Sequence, residues 1–266
     1  MTRRTMNRRT LGAIPLLLLA GPAAAAEADS VAAVKSRGKL VAGVKLDTPP
    51  FGFLDDANAP AGFDLELMRA VAARIGVPVE FQKVTSVTRI PLLLSGNVDL
   101  VAASMTHTRE RGRTIDFSLT YYTGGQSLLV RANSPIAGVA DLPGKRIAVQ
   151  QGTTLEKTIA RMAPAARITA FRDYDAAWLA FAQGRADVLT GSLNILQGFA
   201  KSNEGFKITG GLLSTEPFGI GLRKGDWSMR DAVDETLQDL QVSGQYATLY
   251  QKWFGTDPTT PIEVWP

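Results

Sequence analysis

The 266-residue chain has no cysteine and one histidine, His107. The first absence excludes disulfides, a thiol nucleophile and thiolate metal ligation. The second makes a histidine-based zinc site or a Ser-His-Asp triad a poor expectation. After residue 26 no apolar run reaches membrane-spanning length. No cofactor fingerprint is visible.

The excess of positive charge is also absent from most of the chain. Arg3, Arg4, Arg8 and Arg9 precede an apolar run, Leu11 to Ala20, and a small-residue stretch, Ala23 to Ala26. That order predicts a secretory signal peptide over residues 1–26. Asn7-Arg-Arg-Thr-Leu11 fits a twin-arginine leader, and an ordinary basic leader equally. Four of the 29 basic side chains belong to this segment, leaving 25 against 25 acidic ones. The high isoelectric point therefore gives no case for a nucleic-acid partner.

Two clusters stand out in what remains. Ser86 and Arg89 lie in Thr85-Ser-Val-Thr-Arg-Ile-Pro91, and Ser104, Thr106 and Thr108 precede Arg111. A guanidinium offers a planar fork that fits a carboxylate, and small hydroxyls add short donors. Two such clusters suit two carboxylates of one small ligand. As single residues they are equally well read as surface arginines. Gly152-Thr-Thr154 follows a predicted strand and opens a predicted helix, where free N–H groups favour an anion; Thr153 is equally an N-cap. Lys45 reads either as a further cation for the ligand or as a solvated lysine beside a strand.

Short β-branched runs alternate with helical patterns, which predicts α/β architecture. Strands are expected at 40–44, 79–84, 98–102, 146–150 and 188–190. Helices are expected at 63–75, 90–94, 155–162, 174–183 and 226–242. Phe63, Leu67, Val71 and Ile75 form one stripe of the first helix.

The run Thr106-His-Thr-Arg-Glu-Arg111, followed by Ile115-Asp-Phe-Ser118 and Tyr121-Tyr122, resembles the signature of the family 3 solute-binding proteins. These are periplasmic amino-acid-binding components of ABC importers. Gly43-Val-Lys-Leu-Asp-Thr-Pro-Pro-Phe51, Gly62-Phe-Asp64, Gly96-Asn-Val-Asp99, Asp141-Leu-Pro-Gly-Lys145, Gly184-Arg-Ala-Asp187 and Lys252-Trp-Phe-Gly255 extend the likeness from about residue 38 to 255. It implies a two-lobed periplasmic binding fold of type II, with the ligand cleft between lobes joined by two hinge strands. Residues 38–126 and 224–266 would form lobe 1, and 132–216 lobe 2, with crossings near 126–131 and 218–223. It also implies a periplasmic, non-enzymatic binding protein, expected as a monomer, whose partner is a membrane permease.

By the same resemblance Arg111 would hold the ligand α-carboxylate, with Ser104 and Thr106 beside it. Thr153 and Thr154 would meet that carboxylate from lobe 2. Ser86, Arg89 and Lys45 look like the version in glutamate- and aspartate-binding members, where the arginine takes the side-chain carboxylate. Many members carry an aspartate for the ligand ammonium where this chain has Ser192. Asp47, Glu216 and Tyr174 are substitutes for it, or the ligand is a dicarboxylate without an amine. A cyclohexadienyl dehydratase-like lyase on the same scaffold is the alternative class, with Glu216 as its acid or base.

Overall fold

A computed structural model describes Met1 and residues 29–265. Apart from Met1, the expected leader lies outside the described residues. Two five-stranded sheets organise the rest. The first runs in the order Val79–Lys83, Leu40–Val44, Leu100–Ala102, Gly221–Leu222, Asp116–Phe117. Its first three strands are parallel and its last two join antiparallel. The second runs Arg167–Phe171, Arg146–Gln150, Val188–Ser192, Gln126–Arg131, Phe206–Thr209, again with three parallel strands and an antiparallel remainder.

The helix Phe63–Ile75 shows how the sequence builds these layers. Asp64 and Glu66 occupy its first turn and Arg74 its last, matching the helix dipole. Gly76, at φ 87°, ends it by donating its N–H to the carbonyls of Ala72 and Ala73. Phe63, Leu67, Val71 and Ile75 are all buried, at about 1.5–3 kcal/mol each for full burial.

Between the sheets, Tyr122–Gly124 pairs antiparallel with Glu216–Phe218. This strand pair lies a few residues before the crossings expected at 126–131 and 218–223. Gln126–Arg131 instead sits inside the second sheet, flanked on both sides. Its five leading residues are all buried, and a buried apolar run reads as linker strand or sheet strand alike. Beneath the crossing lies an aromatic cluster. The ring of Phe51 meets that of Tyr122 at 4.8 Å and that of Phe218 at 5.5 Å, and Tyr122 stacks on Phe254 at 5.2 Å. A second aromatic cluster, Trp178 with Phe181, Phe199 and Phe206, packs inside the second lobe.

Candidate functional site: a closed cleft between the lobes

The polar residues of interest sit at or just beyond the carboxyl ends of parallel strands. Lys45 follows Leu40–Val44, Ser86 follows Val79–Lys83, and Ser104 follows Leu100–Ala102. From the other sheet, Gln150 and Ser192 end their strands, and Thr153, Thr154 and Tyr174 start the helices after theirs. In open α/β sheets this edge is where ligands bind. Facing edges enclose a small cavity of about 20 Å³. Lys45, Arg89, Ser104, Thr106, Thr153, Thr154, Tyr174 and Ser192 line it, with Glu216 and the apolar Leu155, Ile195 and Phe218.

Eight of the ten residues expected at the site therefore share one cavity. Ser86 and Arg111 stand outside its wall. Ser86 is buried and donates its hydroxyl to Gln150 Oε1 across the cleft at 3.3 Å. Arg111 is half-buried and spends its fork on two backbone carbonyls, Thr106 O at 2.8 Å and, from the opposite lobe, Gly152 O at 3.3 Å. His107 stacks on Phe117 with centroids 4.4 Å apart, away from the cavity wall.

Arg89 is 2% exposed. It donates Nη1 to Ala103 O at 2.7 Å, while its Nε has no partner. Burial, then the charge of Arg111, depresses its pKa to about 9. Lys45 is also buried and donates to Gln150 Oε1 at 2.5 Å. Desolvation lowers its pKa to about 7, against the opposing pull of Asp47. Its ammonium lies 5.3 Å from the centroid of the Tyr174 ring. Tyr174 is held by its own N–H, which donates to Asp47 Oδ2 at 2.8 Å; burial raises its phenol pKa.

Ser104 and Ser192 are the remaining incomplete groups. Each has a buried hydroxyl oxygen without a hydrogen-bond partner. Thr153 is the N-cap of Thr154–Met162, accepting from the Glu156 N–H at 3.2 Å. Gly152 before it, at φ 74°, packs so close to Ser86 and Val87 that a Cβ would come within 2.9 Å of the Val87 side chain. Thr106 and Thr154, from opposite lobes, both donate to Glu216 Oε2 at 2.7 Å.

Gln150, fully buried, was not singled out in the sequence. Its amide donates to Asp47 Oδ2 at 3.3 Å while its carbonyl receives Lys45 and Ser86. A polar residue closing an apolar strand just before the Gly-Thr-Thr turn was its only signal. Asp64 was recognised only as part of a motif; it is buried behind Ser104 and accepts from Tyr121 Oη at 2.9 Å.

Residues 40–256 match the model of the bacterial extracellular solute-binding proteins, family 3. The chain belongs to this family. It is 36% identical over 235 residues to the ABC transporter glutamine-binding protein of Bacillus subtilis (strain 168), covering 86% of each chain. It is 30% identical over 265 residues to an L-glutamate/L-aspartate-binding protein of Pseudomonas aeruginosa, covering 94% of this chain and 87% of that one. Among solved structures, an ancestral amino acid-binding protein described as a precursor of cyclohexadienyl dehydratase superposes with a TM-score of 0.81. That match has 34% identity and covers 85% of this chain and 99% of the other. The fold is that of the two-lobed type II solute-binding proteins, and the chain is an amino-acid-binding component of an ABC importer. Family relatives of this kind are binding proteins.

Proposed function

We propose that this chain works in the periplasm, takes up glutamate or aspartate between its lobes, and hands the closed form to a membrane permease. Three buried polar groups without partners, Arg89 Nε, Ser104 Oγ and Ser192 Oγ, share the wall of one cavity; this observation carries the reading. Unpaired buried donors are costly, and a carboxylate satisfies several at once. Two cations, Lys45 and Arg89, line the cavity against one carboxylate, Glu216. A zwitterion balances one cation and Glu216; a second carboxylate balances the other cation. Arg111, just outside, adds a long-range positive charge.

A second reading is glutamine. Gln150 Oε1 already accepts hydrogen bonds from Lys45 at 2.5 Å and from the Ser86 hydroxyl at 3.3 Å, which leaves part of the expected side-chain carboxylate site occupied by a neutral amide. A thermal-shift and calorimetric panel of L-glutamate, L-aspartate, L-glutamine, L-arginine and 2-oxoglutarate separates the readings. A ligand at 100 times its Kd stabilises by about 2.7 kcal/mol. The acidic amino acids should give the largest shift. A win for L-glutamine or L-arginine refutes the acidic preference.

A further inference from the structure

Glu216 is a buried carboxylate, 4% exposed, on a strand of the lobe-joining pair. Oε2 accepts from Thr106 of the first lobe and Thr154 of the second, each at 2.7 Å. Oε1 accepts from Ser214 at 2.8 Å. All three partners are neutral hydroxyls; Arg111, whose charge interacts with Glu216, spends its own donors on backbone carbonyls. Buried charges in proteins are normally paired. A carboxylate offers about four acceptor sites, and three are used here, so one on Oε1 remains.

Other acids near the cavity are committed elsewhere. Asp47 receives Thr48, Gln150 and the Tyr174 N–H. Asp64 receives the Ser104 N–H and Tyr121. Neither lines the cavity, whereas Glu216 does. Ser192, which also lines the cavity, is a neutral hydroxyl.

We propose that Glu216 receives the ammonium of the bound amino acid. The assignment rests on the amino-acid reading given above and adds the group that distinguishes an amino acid from an otherwise identical oxo acid. Because Glu216 takes a hydroxyl from each lobe, the ammonium would dock at the point where the lobes meet. Leu155, Ile195 and Phe218 beside it exclude water and strengthen the pair.

The test is calorimetry of wild type and Glu216→Gln with two pairs of probes: L-glutamate with 2-oxoglutarate, and L-glutamine with 2-oxoglutaramate. The members of each pair differ only at C2, which carries an ammonium in one and an oxo group in the other. The variant should lose the amino acid's affinity by a factor of ~100 or more and keep the oxo acid's within about threefold, which also certifies its fold. Adding Ser192→Asp to the E216Q variant should restore part of the preference by returning a carboxylate to the cavity. Equal losses for both members of a pair, or no loss for the amino acid, overturn the assignment alone. Wild-type protein that binds an oxo acid more tightly than its amino acid overturns both the assignment and the glutamate or aspartate reading.

Discussion

The backbone N–H of Ser104 donates to the Asp64 carboxylate at 2.9 Å, and this bond accompanies a left-handed backbone at Ser104, φ 46°. An L residue there costs roughly 1–2 kcal/mol. Asp64 is a residue of the buried scaffold, and desolvation raises its pKa to about 6 despite two hydrogen bonds. The strand end carrying the Ser104 hydroxyl is thus held in an unfavourable shape by an unfavourably buried acid. Ser104→Gly should relieve the backbone strain, leaving stability within about 1 kcal/mol of wild type. Ligand affinity should fall by about tenfold for the lost hydroxyl. Chemical denaturation and calorimetry on the same variant check both halves.

Arg89 should show the opposite balance between stability and function. Its charge is buried beside another cation and lacks a carboxylate partner. Arg89→Met keeps the packing volume and removes the desolvation cost, at the expense of one unpaired carbonyl, Ala103 O. Folding stability should change by less than about 2 kcal/mol, while affinity for L-glutamate drops by at least ~100-fold. A folded variant with unchanged affinity removes Arg89 from the site.

Closure has its own handle in Gly198, on the helix Leu193–Ser202. A Cβ at this position would meet the carbonyl oxygen of Pro49, across the cleft, at 3.0 Å. Gly198→Leu improves helix propensity by about 1 kcal/mol yet wedges the lobes apart. Small-angle scattering with saturating ligand should give a larger radius of gyration than wild type, and binding should weaken. Identical scattering curves would show that this contact does not limit closure.

Lys45 supplies a pH signature. Burial lowers its pKa from the ordinary 10.5 to about 7, so between these values the unfolded chain holds a proton that the folded chain has released. Stability must therefore rise with pH across that window. Below about 7 the folded protein carries the desolvated charge and this gain is absent. Lys45→Met should flatten the rise, measured as the difference in Tm between wild type and variant from pH 6.5 to 9.5 without ligand. An anionic ligand favours the charged lysine, so affinity for L-glutamate should increase as pH falls through 7. Affinity for L-glutamine should respond less.

How much of this was readable beforehand follows from where each signal resides. The helix Phe63–Ile75 carries its whole pattern in one stripe and its stop in one glycine, so periodicity placed it with its ends. Arg167–Phe171 was missed because it is an edge strand, pairing on one side only and largely exposed, with no alternation strong enough to mark it. Leu193–Ser202 follows its strand directly through Ser192, without the turn residues that usually punctuate a boundary. In the site, hydroxyls and arginines on strand ends advertise themselves by type. Gln150 does not, because its role depends on meeting Lys45 and Ser86 from 105 and 64 residues away. Arg111 had the right signature, yet its fork lies on two carbonyls at the rim, a geometry that spacing alone does not contain.

The register of the joining strands sets Gly124 directly opposite Glu216, so the chain enters and leaves the second sheet through neighbouring rungs of one ladder, about 5 Å apart. Residues 125–215 therefore form a loop with touching ends: in genetic terms, a cassette. Exchanging that cassette for the same stretch of a relative requires no new connection and alters only what the lobes say to each other. Half of the cavity wall, from Thr153 to Ile195, would change in one step, while Arg89, Ser104 and the acid at the seam stay in place.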